Sequence, residues 1–256
     1  MSITDNGSIF FILGAGASFD SGLPTYRGPE GLYTNTTSSE SPEDILSIYS
    51  PLDKVWQFLT PLYEKIATTN PGSTYDLIKE LGRSHPNSFI LTQNIDGHAL
   101  STEVPTVEIH GTWKTMVCVP CKARVATNLT NRTCKCGKQY RPDVVLYDQT
   151  LPQEEVQKVN SYIKTRPKYV VVIGTTLQFA YLRKFITKAK QRGAQVIHIN
   201  PDDDYKDKVK FNEHGTKCHH LMVLHCLETT TSSIYIITIM YINVWLGNCC
   251  WLIKAV

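Results

Sequence analysis

The sequence predicts an α/β fold: a doubly wound parallel sheet interrupted by a small cysteine-rich insertion. Three observations predict it. Apolar runs of strand length, at residues 9–13, 88–92, 168–173 and 195–199, alternate with stretches of helical apolar spacing, the order expected of βαβ units. The first run leads directly into Gly14-Ala15-Gly16, the way a Rossmann-type phosphate loop begins. Two cysteine pairs, Cys118/Cys121 and Cys134/Cys136, fall within one short segment and read as a zinc ribbon.

The totals narrow the class. The chain has 256 residues, 42% hydrophobic and 19% charged, enough for one large domain with an inserted module and against global disorder. A net charge of +3 gives no footprint for nucleic acid. Residues 1–7 are polar and show no signal peptide. That favours a reducing compartment, cytoplasm or nucleus, where the eight cysteines serve as thiols or metal ligands. Residues 33–42, rich in Ser and Thr, read as a loop.

Taken in order, the apolar run 9–13 is a strand, and Gly14 and Gly16 allow a tight turn with amides aimed at a phosphate. No glycine stands at residue 19, where the usual third one would fall, so a bare tight loop remains the alternative. Pro24, Gly22 and Gly28 then stop any long helix, leaving an irregular flap that carries Tyr26 and Arg27. Residues 44–66 have helical spacing broken by Pro51 and Pro61, predicting two or three short helices; residues 74–81 predict another. Strand 88–92 ends in Gln93-Asn94-Ile95-Asp96-Gly97. These polar groups stand where ligands bind in an open α/β sheet, although a polar turn closed by Gly97 has the same composition. His110, in Glu108-Ile109-His110-Gly111-Thr112, is either a structural histidine or a general base suited to neutral pH.

The second cysteine pair has one intervening residue rather than two, so four-thiolate ligation needs a tight turn at Lys135 and Gly137. No basic helix follows, which weakens a nucleic-acid finger. Residues 140–148 are expected to return to the main sheet. The run 168–173 is a fully buried parallel strand, and Gly174-Thr175-Thr176 is a ligand turn or a helix cap. Residues 182–192 predict a helix ended by Gly193, and strand 195–199 ends at Asn200-Pro201-Asp202. Residues 229–253 carry no charge and suit a membrane span or a β-strand. Cys218, His219, His220, His225 and Cys226 form a weaker metal candidate.

The ordered blocks GAGASFDSGLPTYRG, TQNIDG, EIHGT, the cysteine pairs, RPDVVLYD and GTT resemble the sirtuins, NAD-dependent protein deacylases, over roughly residues 8–227. The resemblance implies that NAD is held by Gly14, Ala15, Gly16, Ser18, Tyr26, Arg27, Gln93, Asn94, Asp96, His110, Gly174, Thr175, Thr176, Asn200, Asp202 and Cys218. It implies that His110 is the catalytic base and that Asn94 and Asp96 hold the departing nicotinamide. Val145 and Tyr147 would border the acyl-lysine tunnel, with the substrate chain lying along them as an added strand. Cys118, Cys121, Cys134 and Cys136 would bind one structural Zn2+. Where the family has Gly-Leu-His, this chain has Gly97-His98; where it has Gly-Glu, this chain has Asp148-Gln149.

The implied activity is NAD-dependent lysine deacetylation of an acetylated protein, transferring acetyl to ADP-ribose with release of nicotinamide. A protein ADP-ribosyltransferase and a non-catalytic NAD-binding module are the alternatives. The expected organisation is a Rossmann-type domain at 1–112 and 141–227, a zinc-ribbon module at 113–140, and an apolar tail at 228–256. A monomer is expected, with membrane contact open only to the tail. Acidic-acyl members of the family resemble one another in a Tyr-x-x-Arg pair. Leu59 and Leu62 stand there in this chain, which predicts acetyl before succinyl; Thr25, shared with acidic-acyl members, points weakly the other way.

Overall fold

The computed structural model describes residues 6–25, 31, 40–200, 222–226 and 237–241. In chain order it comprises β1 (Ile9–Leu13), α1 (Pro42–Ile45), α2 (Leu52–Ala67), α3 (Ser73–Ser84), β2 (Phe89–Thr92), β3 (Thr106–Glu108), β4 (Gly111–Val117), β5 (Arg124–Ala126) and β6 (Arg141–Val144). There follow α4 (Gln153–Lys164), β7 (Tyr169–Ile173), α5 (Ala180–Lys190), β8 (Gln195–Ile199), β9 (Met222–Cys226) and β10 (Ile237–Tyr241), with 3-10 turns at Ala15–Ser18 and His98–Thr102. The main sheet runs β3-β2-β1-β7-β8, all neighbours parallel.

Alternation along the strands explains why the runs are apolar throughout. Phe10, Ile12, Leu91, Val170 and Val172 face one side and bury against Val159 and Ile163 of α4 and Leu182, Phe185 and Ile186 of α5. Ile9, Phe11, Leu13, Ile90, Tyr169 and Val171 face the other side, against Tyr75 and Ile78 of α3. A sheet covered on both faces cannot show the polar alternation of a half-exposed one.

A second, three-stranded sheet has the order β5-β4-β6, antiparallel throughout. Residues 141–144, expected to return to the main sheet, belong here instead. Pro142 lacks an N–H and suits an edge strand, which β6 is. Thr115 Oγ1 donates to Asp143 Oδ2 at 2.6 Å, tying β4 to β6. The cysteine segment hangs from this sheet and packs on α2: Val55, Trp56, Leu59 and Tyr63 bury against Met116, Cys118, Cys134, Tyr140 and Val144. Trp56 Nε1 donates to Tyr140 O at 2.8 Å, and the Arg132 guanidinium lies 4.6 Å from the Trp56 ring.

The helical reading of 44–66 is corrected in one respect. Beyond the single turn of α1, α2 is one continuous 16-residue helix with Pro61 inside it. Pro51 is its N-cap. Pro61 and Gln57, whose carbonyl loses its partner, both lie on the exposed face, so water satisfies what the proline removes. The buried stripe Val55, Trp56, Leu59, Tyr63 and Ile66 continues past it. The helix α4 was not anticipated, although Val156, Val159 and Ile163 carry its period and Glu154 and Glu155 sit in its first turn.

Strand order reverses between β1 and β7. The next strand after β1 lies on one side of it and β7 on the other, which makes the crevice at their C-terminal ends the switch point of the sheet. Among the described residues no helix is long and apolar enough to cross a membrane. Of the charge-free stretch 229–253, the structure describes Ile237–Tyr241, paired antiparallel with Met222–Cys226.

Candidate active site and thiolate cluster

The switch point is built by backbone approach. Gly14 N donates to Ile173 O at 2.9 Å and Gly16 N to Gly174 O at 3.0 Å. A Cβ on Gly14 would stand 2.6 Å from Gly174 O, and one on Gly16 2.6 Å from Gly174 Cα. Gly174 itself has φ +63° and backs onto Gly16 and Ala17. The two ligand loops are thus locked to each other. The Gly14 and Gly16 amides shape the turn from within the fold.

Beside this contact lies a closed polar network. Ser18 Oγ donates to Asp96 Oδ2 at 2.6 Å. The Ser18 oxygen then accepts from Asn94 Nδ2 (3.1 Å) and from Tyr75 Oη (2.6 Å). Asn94 Nδ2 also donates to Gly14 O at 3.0 Å, and His98 N donates to Asp96 Oδ1 at 2.9 Å. Tyr75 is held well above its usual pKa by burial and the Asp96 charge, so its hydroxyl stays a donor. Asp20 braces the network from outside. Its Oδ2 accepts from Ser73 Oγ, Thr74 N and Thr74 Oγ1, capping α3 across some fifty residues of sequence.

His110 lies between the two sheets. A Cβ on Gly111 would stand 2.2 Å from Asp143 O, so only glycine lets β6 pass this close; Val145 N donates to His110 O at 2.8 Å. His110 Nδ1 is 3.1 Å from Gln93 O, a carbonyl, so Nδ1 carries the proton. Nε2 is therefore the basic atom, and it lies 2.6 Å from Tyr181 Oη, which donates to it. Burial pushes the His110 pKa down to about 4, with the Gln93 carbonyl opposing in part. Two residues before it, burial pushes Glu108 up to about 7. Rings close in on the imidazole: Phe179 at 5.6 Å and Tyr181 at 5.9 Å, with Tyr147 6.4 Å from Phe179.

The structure therefore brings together Gly14, Ala15, Gly16, Ser18, Gln93, Asn94, Asp96, His110, Gly174, Thr175 and Thr176, with Asn200 buried at the end of β8. Tyr26, Arg27, Asp202 and Cys218, and with Cys218 the cluster His219 and His220, lie outside the described residues. Val145 and Tyr147 flank the site from the β6 side. Tyr147 N donates to Leu46 O and Tyr147 O accepts from Ile48 N, so an added strand would find both backbone groups of Tyr147 engaged. Asp148, at the family's usual glycine position, has φ +65°, a conformation Asp tolerates, and accepts from Ser47 Oγ at 2.9 Å. Tyr181 and Phe179 escaped sequence reasoning. They lie some seventy residues from His110, and only tertiary structure pairs them.

The four cysteines converge. Cys118 Sγ is 3.4 Å from Cys136 Sγ, Cys121 Sγ 3.5 Å from Cys134 Sγ, and all four lie within 4.8 Å of one another. Zn–S bonds of about 2.3 Å in a tetrahedron put sulfurs ~3.8 Å apart, so the cluster fits a zinc ion. The tight turn that Cys136 needs is present: Gly137 N donates to Cys134 O, and Cys134 N to Lys138 O.

A doubly wound sheet with polar loops gathered at its switch point, a histidine at its edge and a thiolate module beside it define a dinucleotide-type α/β enzyme scaffold with a structural metal site. A model of the Sir2 family matches residues 14–180, and the chain belongs to that family. It is 32% identical over 208 residues to a Pseudomonas aeruginosa NAD-dependent protein deacylase 2, covering 75% of this chain and 81% of that one. It is 32% identical over 209 residues to a Staphylococcus epidermidis NAD-dependent protein deacetylase, covering 78% and 84%. Among solved structures, a Sir2 homologue bound to NAD superposes with a TM-score of 0.69 at 26% identity, covering 79% of this chain and 81% of that one.

Proposed function

We propose that this chain is an NAD-dependent protein lysine deacetylase that moves the acetyl group to ADP-ribose and releases nicotinamide. The observation that carries the reading is His110: a neutral imidazole with its proton fixed on Nδ1 by Gln93 O, beside the Ser18–Asn94–Asp96 network at the switch point. Bound NAD supplies a ribose carbon made electrophilic by its cationic nicotinamide. Asn94 and Asp96 would orient the leaving carboxamide. Gln93 would meet the adjoining ribose, and Gly14, Ala15, Gly16 and Ser18 would line the diphosphate. Thr175, Thr176 and Asn200 would receive the adenosine side. His110 Nε2 would accept a ribose hydroxyl proton, and Val145 with the rings of Tyr147 and Phe179 would exclude water from the acyl group. Cys118, Cys121, Cys134 and Cys136 would hold zinc as a cross-link and take no part in the chemistry.

The test is nicotinamide release from NAD on addition of an acetylated peptide; a protein that binds NAD and releases none contradicts the reading. Its pH profile is a second test. The base must be neutral, so the acid limb of kcat/KM falls where His110 protonates, near pH 4 rather than at the 6.5 of a free histidine. An acid limb at 6.5 would contradict the burial argument.

The acyl group taken is short and uncharged. Leu59 is buried and Leu62 packs against the same cluster as Tyr147, so a carboxylate brought to this side of the site finds no cation from either position. Such an unpaired charge is costly. Acetyl-lysine peptides are expected to turn over at least about tenfold faster than succinyl-lysine peptides, a difference of roughly 1.4 kcal/mol; faster succinyl removal overturns the assignment.

A further inference from the structure

The Ser18 hydroxyl is saturated within the fold. A hydroxyl offers one proton and two lone pairs. The proton goes to Asp96 Oδ2 at 2.6 Å, since a carboxylate only accepts. The lone pairs accept from Tyr75 Oη at 2.6 Å and Asn94 Nδ2 at 3.1 Å. With the Ser18 proton committed, the short contact to Tyr75 has one direction: the phenol donates. Gly14 O, a carbonyl 3.0 Å from the Asn94 side chain, fixes the atom facing it as the amide nitrogen. That nitrogen also reaches Tyr75 Oη, at 3.3 Å. Tyr75 therefore acts on both side chains assigned to the carboxamide, on Asp96 through Ser18 and on Asn94 directly. Its own position is fixed. It is buried in the core beneath the sheet, and its ring lies edge-on to that of His98 (5.6 Å, 86°), whose backbone N–H holds Asp96 Oδ1. Asp20 pins the first turn of its helix through Thr74 N at 2.7 Å.

We infer that Tyr75 is a positioning residue for the nicotinamide end of the cofactor: by driving the Ser18 proton onto Asp96, it sets how tightly the carboxamide, and free nicotinamide as product, is held. Each hydrogen bond in such a directed chain polarises the next. Removing the phenol oxygen releases Ser18 to turn among its staggered rotamers and takes an acceptor from Asn94 Nδ2. Asp96 and Asn94 then lose their fixed orientation. The glycine loops do not depend on Tyr75, because Gly14 N is bonded to Ile173 O and Gly16 N to Gly174 O. The ADP-ribose part of the cofactor is therefore held as before. Ser18, with no hydrogen-bonding capacity left over, serves the network rather than the cofactor. The inference rests on the deacetylase reading, in which Asn94 and Asp96 hold the carboxamide.

The test is Tyr75→Phe, which keeps the ring and its packing and removes one oxygen, with Ser18→Ala and the double variant beside it. Three quantities are compared with the parent protein: the inhibition constant of added nicotinamide in the deacetylation assay, the Kd of ADP-ribose, which lacks the carboxamide, and Tm. Tyr75→Phe is expected to raise the nicotinamide constant roughly tenfold, the scale of a lost hydrogen bond in a chain ending on a charge, and to leave ADP-ribose affinity within about threefold. The double variant is expected to match Ser18→Ala, because residues acting through one another are not additive. A nicotinamide constant within about threefold of the parent would overturn the inference. Equal weakening of nicotinamide and ADP-ribose would overturn it in favour of packing. A double variant much weaker than Ser18→Ala would overturn the route through Ser18. Should Tyr75→Phe fail to fold, Ser18→Ala decides alone, since it cuts the chain and keeps the phenol; unchanged nicotinamide inhibition in it overturns the inference. A parent protein that binds no ADP-ribose and is insensitive to nicotinamide overturns the deacetylase reading itself.

Discussion

His110→Ala is expected to leave the chain folded and to reduce deacetylation by roughly 10²–10⁴-fold. The substitution removes a basic atom that burial keeps neutral, on a ring whose proton Gln93 O fixes on Nδ1. It leaves the Ser18–Asn94–Asp96 network and the locked glycine loops untouched, so NAD binding and nicotinamide exchange should persist. The two readouts must therefore separate. Steady-state deacetylation and nicotinamide exchange on the same preparation, with a thermal melt for folding, check this. Near-normal deacetylation would remove His110 from the mechanism.

Loss of the zinc site is expected to be the most damaging change to stability, although no cysteine does chemistry. Cys118 and Cys134 are buried in the same cluster as Trp56, Leu59 and Tyr63, so the thiolates anchor the module to α2 as well as to itself. The unfolded chain lacks the assembled site, so the binding energy of the metal is folding energy. Removing one ligand, by Cys121→Ala or Cys136→Ala, is expected to cost several kcal/mol and to lower Tm by ~10 °C or more. The two variants should be similar, because the structure makes Cys136 a full member of the cluster, 3.4 Å from Cys118. Elemental analysis and thermal melts check both. Full zinc retained by Cys136→Ala would contradict the four-thiolate site.

Much of this molecule was legible in its residues. The run 168–173 could be read as a buried parallel strand because a sheet covered on both faces demands continuous apolar residues, whereas 195–199, with Gln195 and His198 in it, could be read only as a strand and lies at the sheet edge, half-buried. The site blocks were legible from their order along the chain, which resembles the sirtuins; polar residues after a strand suit a plain turn or a helix cap equally well. What escaped was whatever depends on contacts distant in sequence. Pro61 looked like a helix break, and only the exposure of that face shows why α2 passes through it. Residues 141–144 looked like a main-sheet strand; their pairing with β4 is decided by an edge position that tolerates Pro142. The glycines at 14 and 16 suggested close approach to a phosphate, whereas the nearest crowding comes from Gly174 on another strand. Tyr181 carried no motif at all, yet its hydroxyl sits on the base.

The central claim is that the acyl group leaves lysine on the sugar of NAD. A peptide whose lysine carries an isotopically labelled acetyl group, incubated with the protein and NAD, tests it directly when products are separated and weighed. The label is expected on ADP-ribose, with one nicotinamide released for each lysine freed. Labelled free acetate formed without nicotinamide, or ADP-ribose found on a protein side chain with the acetyl-lysine intact, would contradict it.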